Sequence, residues 1–220
     1  MDLVHAAFEP AGDGPHPTIL AMHGWGSNAL DLMGLAPYIA RGRCLTLCPQ
    51  GPVEVEIGAI NGYGWYQLRR DAPPDMEAMG RVADRLMLFV DAALDRYPID
   101  RRKLIVMGFS QGGVMAYNLA IRHPERFAAL VALSTWFPEE LVEYAGNHDA
   151  LAQLPTLIQH GRADEMIDIA KARESVEHLR GFKLPLIYRE YDCGHEITAD
   201  GIRDLSSFLT EKVIQPVITA

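Results

Sequence analysis

Eleven residues, Lys103-Leu-Ile-Val-Met-Gly-Phe-Ser-Gln-Gly-Gly113, leave this chain fewer folding options than any other stretch of comparable length. The apolar run Leu104 to Met107 reads as a buried strand, and Gln111 to Arg122 reads as a helix. Only a sharp turn can join the two, and the glycines at 108 and 112 let strand and helix approach closely around it. Gly-x-Ser-x-Gly in this setting lifts Ser110 to the apex of a strained strand-to-helix turn. The backbone N–H of Gln111, at the start of the helix, then faces the place where negative charge would develop on a reacting group.

The rest of the chain repeats the strand-then-helix order. Short runs rich in Ile, Leu and Val, ending in Gly, Pro or Ser, predict strands at Thr18 to Met22, Cys44 to Cys48, Lys103 to Phe109, Phe127 to Ser134, Thr156 to His160 and Leu186 to Tyr191. Helices are predicted over Ala29 to Ile39, Glu77 to Tyr97, Gln111 to Arg122, Ile169 to Leu179 and Asp200 to Lys212. Within Glu77 to Tyr97, Val82, Leu86, Phe89, Val90, Ala93 and Leu94 recur at three- and four-residue spacing and form one apolar stripe. Alternation of this kind predicts an α/β chain with a mostly parallel central sheet, helices on both faces and no large cap, as a single domain over residues 1–220. In such sheets ligands bind outside the carboxyl ends of the strands. The aperiodic segments Pro49 to Asp75 and Trp136 to Leu154 follow predicted strands and are expected to wall that site as loops.

Serine at its ordinary acidity is a poor nucleophile and needs a base, which in turn needs an orienting acid. Two more strand ends supply them. Thr156-Leu-Ile-Gln-His-Gly161 runs into a turn with Asp164 three residues on, and Tyr191-Asp-Cys-Gly-His195 places a histidine just past the last strand. The chain order Ser110, Asp164, His195 is the order expected of a nucleophile elbow and its partners. Asp168 and Asp192 are the rival acids. Asp192 is only three residues from His195 on a strand end, which is poorly placed to grip the ring. His160 is expected to support the acid loop, and His5, His16, His123, His148 and His178 have no constellation around them. The first strand ends in His23-Gly-Trp-Gly-Ser27, so the Trp25 N–H is the natural second oxyanion donor, with His23 holding the turn.

The formal net charge of −9 opposes binding to nucleic acid, which requires a basic field. An apolar content of 49% with 22% charged residues is that of an ordinary globular chain. No apolar run approaches a membrane span, and Met1 to Pro15 has no signal-peptide pattern, so no stable membrane insertion is expected and a cytoplasmic location fits. Cys44 and Cys48 on one strand would lie roughly 13 Å apart, too far to pair. Cys193 reads as a structural thiol. His-x-x-x-His, Cys-x-x-Cys and acidic calcium-loop patterns are absent, so no metal or other cofactor is expected.

With His23-Gly-x-Gly26, Gly108-Phe-Ser-Gln-Gly-Gly113, His160-Gly-x-x-Asp164 and Gly194-His195 in place, the sequence resembles the phospholipase/carboxylesterase family of α/β-hydrolases over essentially its whole length. The resemblance implies cofactor-free hydrolysis of carboxylic esters or thioesters by Ser110, His195 and Asp164, with the oxyanion held by the Trp25 and Gln111 amides. It also implies a substrate-binding role for Trp65 and Tyr66, which look like the family's aromatic segment beside the acyl pocket; Trp136 is expected to join them. The sequence departs from the eukaryotic thioesterases of this family at Trp25, where they carry an aliphatic residue, and at Ser27, where an acidic one is common. Both positions border the acyl site. The resulting expectation is a small-molecule carboxylesterase for short to medium acyl chains. The alternatives are a thioesterase or lysophospholipase for longer chains and, in another class, an inactive relative that binds an apolar ligand.

Overall fold

The computed structural model describes residues 3–57, 60–68 and 73–215. Seven strands form the central sheet: β1 (His5–Phe8), β2 (His16–Met22), β3 (Leu45–Pro49), β6 (Ile99–Phe109), β7 (Ala129–Leu133), β8 (Thr156–Gly161) and β9 (Leu186–Tyr191), in the order β1-β3-β2-β6-β7-β8-β9. Every neighbouring pair is parallel except β1 with β3. A separate antiparallel hairpin joins β4 (Val53–Ile57) to β5 (Ile60–Gly64).

Side chains alternate across the parallel strands and divide the core in two. Leu20, Met22, Leu47, Val106, Leu130 and Ile158 face α1 (Met76–Arg96), α2 (Gln111–Arg122) and α4 (Ile169–Gly181). Ile19, Ala21, Ile105, Met107, Val131 and Leu157 face α5 (Ala199–Leu209) and the 3₁₀ segments between Leu32 and Gly42. The predicted stripe of α1 packs as read, with Leu86, Phe89, Val90 and Ala93 buried; full burial of such an aliphatic or aromatic side chain stabilises by roughly 1.5–3 kcal/mol. The helix starts where the Asp75 carboxylate accepts the Ala78 N–H at 2.9 Å.

This arrangement also locates a crevice. The chain leaves β2 toward the α5 face, whereas it leaves β6 through α2 on the other face. Adjacent parallel strands whose connections diverge open a cleft beyond their carboxyl ends. The loops Gly24–Ser27 and Phe109–Gln111 border that cleft.

Three readings need correction. The predicted helix Ala29 to Ile39 is a set of turns and 3₁₀ segments, Leu32–Leu35 and Ile39–Gly42. Pro37 has no N–H to give an α-helical bond and its ring crowds the carbonyl of Met33, so the chain closes shorter bonds instead, such as Ala36 N–H to Met33 O at 3.1 Å. The segment Pro49 to Asp75 is not all loop, because it contains the β4–β5 hairpin; its residues 58, 59 and 69–72 lie outside the described set. Trp136 to Leu154 similarly folds into a 3₁₀ stretch, Glu139–Tyr144, and one helical turn, α3 (His148–Leu151). Among the described residues no helix is long and apolar enough to cross a membrane.

Candidate active site

Ser110 holds the strained backbone that the turn demands, with φ 53° and ψ −120°. A non-glycine residue at positive φ costs on the order of 1–3 kcal/mol and persists only where its surroundings enforce it. Here the Ser110 N–H donates to Leu133 O at 3.0 Å, and the Ser110 carbonyl accepts from Gly113 N–H at 2.9 Å and from the Thr135 hydroxyl at 2.7 Å. The two motif glycines are obligatory by contact. A Cβ on Gly108 would fall 2.0 Å from Gly112 O, and one on Gly112 would fall 2.0 Å from Met22 O. Gln111 opens α2, so its amide is among the helix N–H groups that have no intrahelical acceptor.

Asp164 and His195 meet across the loops after β8 and β9. His195 Nδ1–H donates to Asp164 Oδ2 at 2.8 Å, while Asp164 Oδ1 accepts the Met166 and Ile167 N–H groups at 2.9 and 2.8 Å. Burial opposes ionisation of this carboxyl, but the His195 bond and the two amides outweigh it and hold its pKa below the usual value. The rival acids are engaged elsewhere. Asp168 caps α4 through the Ala170 N–H at 2.8 Å, and Asp192 pairs with Arg162 on the surface. His160 is buried, donates from Nε2 to Ile167 O at 2.8 Å and sits 3.4 Å from Asp164 Oδ2. It thus ties the strand end to the turn that supplies both amides. The two loops also share main-chain bonds, Arg162 N–H to Tyr191 O at 2.8 Å and Ala163 N–H to Cys193 O at 3.0 Å.

The Trp25 loop is anchored from below. The His23 Nε2 accepts the Gly51 N–H at 3.0 Å, which leaves the ring proton on Nδ1 to bond Gly24 O at 2.8 Å. Burial lowers the His23 pKa against the opposing pull of the Gly24 carbonyl and Asp31, which keeps the ring neutral. From the side, the hairpin pairs with the loop: Gly26 N–H donates to Tyr63 O at 2.8 Å and Tyr63 N–H to Ser27 O at 2.7 Å. Trp25 lies so close over Gly64 that a Cβ there would be 2.3 Å from the indole.

Ser110, His195, Trp25, Gln111, Trp136 and Leu68 are among the residues around one cavity of about 290 Å³. His195 additionally packs against the Phe109 ring, with centroids 4.8 Å apart. Trp65 and Tyr66, expected at the acyl wall, do not line this cavity. Both are buried instead, Trp65 tied down by its indole and main-chain N–H groups and Tyr66 by its main-chain carbonyl. The Trp65 indole N–H donates to His23 O at 2.8 Å and its main-chain N–H to Gln111 Oε1 at 2.9 Å, while Tyr66 O accepts from Gln111 Nε2 at 2.7 Å. Leu68, Met166 and Ile167 take their place in the wall, a role no sequence pattern marked. A larger cavity of about 480 Å³, between Arg41, Arg43 and Ser206, lies at the opposite edge of the sheet and holds none of the nominated residues. Among the described residues no cluster of His, Cys, Asp and Glu is arranged to hold a metal ion.

Comparison with known proteins yields matches over nearly the full length. The family model described as "Phospholipase/Carboxylesterase" matches residues 4–213. The chain is 25% identical over 228 residues to "Acyl-protein thioesterase 1" of Mycosarcoma maydis, covering 93% of this chain and 94% of that one. Among solved structures it superposes on esterase PE8 with a TM-score of 0.80 at 22% identity, covering 97% of this chain and 100% of that one. It superposes on Zea mays acyl-protein thioesterase 2 with a TM-score of 0.78 at 22% identity, covering 94% and 97%.

Proposed function

This chain belongs to the phospholipase/carboxylesterase family and has the α/β-hydrolase fold, and we propose that it is a single-domain serine hydrolase that cleaves carboxylic esters of short to medium acyl chains. The observation that carries the reading is the 2.8 Å bond between His195 Nδ1 and Asp164 Oδ2, at the edge of the same cavity as the strained Ser110 turn. With Nδ1–H committed to Asp164, His195 Nε2 is the acceptor for the Ser110 proton. Ser110 Oγ attacks the ester carbonyl carbon, and the carbonyl oxygen takes the negative charge facing the Trp25 and Gln111 N–H groups. Collapse expels the alcohol, which receives the proton from His195 and leaves Ser110 acylated. Water then attacks with His195 again as base, releasing the acid and restoring the serine. None of these steps calls on a cofactor. The preference for short and medium chains rests on the cavity, whose volume of about 290 Å³ lies at the bottom of the range of about 300–1,000 Å³ common for ligand pockets.

Hydrolysis of longer acyl thioesters is the second reading, favoured by the name carried by the M. maydis relative. Side-by-side kcat/KM values for oxygen esters and thioesters of matched acyl length separate the two. Labelling by a fluorophosphonate probe separates both from an inactive ligand-binding relative. Ser110→Ala should abolish labelling and lower turnover by on the order of a millionfold, and Asp164→Asn should lower it by roughly ten-thousandfold. Asp192→Asn should be mild. Turnover above a tenth of wild type in Ser110→Ala would sink the nucleophile, and a reversal of the two aspartate effects would make Asp192 the orienting acid.

A further inference from the structure

Among the described residues, Trp136 borders two cavities at once. On one side lies the 290 Å³ cavity with Ser110 and His195; on the other lies a cavity of about 250 Å³ bordered by Pro74, Phe137, Pro138, Lys171, Glu174 and His178. We propose that the Trp136 indole is the partition that sets the acyl-length limit of the site, and that the cavity behind it is an extension subsite for the distal part of a longer chain. This deepens the esterase reading and rests on it.

The backbone around Trp136 is pinned on both sides. Ser134 N–H donates to Gln159 O at 2.8 Å, Thr135 Oγ1–H to Ser110 O at 2.7 Å, and Phe137 N–H to Ser175 Oγ at 2.7 Å. The indole therefore projects from a fixed point whose neighbour touches the nucleophile's own carbonyl. The Lys171 ammonium lies 5.9 Å from the ring centroid, on the side of the second cavity, where its charge is attracted to the aromatic face. The ring is thereby held between the two spaces. The apolar part of the second cavity's lining is Phe137, whose ring meets Tyr117 edge-on at 5.4 Å, with prolines 74 and 138. The rest of its lining is charged or ionisable: Lys171 beside the ring itself, with Glu139, Glu140, Glu174 and His178. On this proposal a methylene chain leaving Ser110 meets the indole first and, with the indole gone, would run along the Phe137, Pro74 and Pro138 side of the second cavity.

Burying one more methylene in a continuous apolar channel is worth about fourfold in affinity. Wild-type kcat/KM for p-nitrophenyl acetate, butyrate, octanoate and laurate should therefore rise and then level off or fall. In Trp136→Ala the rise should continue to laurate, increasing the laurate-to-butyrate ratio at least tenfold, mainly through KM because chain burial is shared by ground and transition states. Butyrate serves as the internal reference on the same variant, so a change in overall activity cancels in the ratio. An unchanged length profile in folded Trp136→Ala, or an equal loss for every ester, would overturn the partition. Trp136→Leu, which keeps an apolar side chain but removes both rings of the indole, should give an intermediate profile if the alanine variant does not fold. A second readout does not depend on turnover. In Ser110→Ala, calorimetric binding of methyl ketones of six and twelve carbons should favour the longer one only when Trp136 is also replaced. If no Ser110-dependent hydrolysis of any ester is found, the esterase reading fails, and the ketone comparison still decides the partition.

Discussion

The two walls of the Ser110 cavity are built on opposite principles. The wall at Trp25 is backed by a hydrogen-bonded frame, in which His23, Gln111, Gly51, Trp65, Tyr66 and the hairpin strand β5 fasten to one another through both main chain and side chain. The wall from Ser134 to Leu154 is held by hydrogen bonds at its root, around Ser134, Thr135 and Phe137, and beyond it by the buried side chains of Leu141, Leu151 and Leu154, while Val142 and Tyr144 are exposed. The first wall carries the Trp25 amide and must hold it within a fraction of an ångström; the second borders what enters. A frame of buried polar bonds is costly to break, because each orphaned group loses its partner without regaining water. A surface run of 3₁₀ turns tolerates change. On the proposed function, chemistry is lodged in one wall and substrate choice in the other.

The contrast is most easily broken at Gln111. Gln111→Ala orphans the buried Trp65 N–H and Tyr66 carbonyl at once, at about 1–3 kcal/mol each. Stability should fall by roughly 2–6 kcal/mol, and turnover on butyrate by on the order of a hundredfold as the Trp25 loop loosens. Urea unfolding and steady-state kinetics check both. A loss under about 1 kcal/mol would mean the frame is held by hairpin pairing alone.

His23 sharpens the comparison through pH. Burial keeps its ring neutral in the folded protein, with a pKa below the ordinary value of about 6.5 to which it returns on unfolding. Below about pH 6.5 the unfolded chain therefore binds a proton that the folded protein refuses, and stability falls as pH falls. His23→Phe keeps a ring but cannot accept the Gly51 N–H, so it should be less stable than wild type by about 1–3 kcal/mol at pH 8. That gap should narrow between about pH 6.5 and 5, because only wild type has this proton to exclude. Asp164 acts in a different window. Its folded pKa is depressed, so its contribution is present above the ordinary carboxyl value and is lost only as pH falls below about 4. A gap between His23→Phe and wild type that stayed constant from pH 8 to 5 would show that His23 is not held neutral.

How far the sequence discloses these walls depends on where each constraint lies. Strands β2, β3, β6, β7 and β8 are visible as apolar runs because they are interior and covered on both faces, and the partly buried edge strand β9 through its opening Leu186-Ile-Tyr188. β1 is not, since His-Ala-Ala-Phe has no alternation and becomes a strand only by pairing with β3. The hairpin does carry a period-two signal, Val53-Glu-Val-Glu-Ile57, but its seat on Ser27 and Gly26 is a tertiary fact no local pattern encodes. Ser110, Asp164 and His195 could be nominated because strand ends in a parallel sheet share one edge. Trp65, an aromatic residue beside glycines, reads as a pocket wall, whereas its indole N–H has an acceptor in the His23 carbonyl. A polar partner inside the protein decided the matter.

The smallest effect tests the permissive wall directly. Val142 is 43% exposed on the 3₁₀ segment Glu139–Tyr144, and the nearby Tyr144 ring is stacked under the Arg122 guanidinium, 4.2 Å from its centroid. Val142→Ser removes little buried surface and orphans no polar group, so stability should change by no more than about 0.5 kcal/mol. It also lies beyond the pinned root of its wall and borders neither the Ser110 cavity nor the one behind Trp136. Turnover and the acyl-length profile should both stay within about twofold of wild type. Tyr144→Ala should cost somewhat more, about 0.5–1 kcal/mol, because an exposed cation–aromatic contact is lost with it. If either substitution instead lowered turnover as much as His23→Phe does, the two walls would be mechanically coupled. The division between a wall for chemistry and a wall for substrate choice would then have to be abandoned.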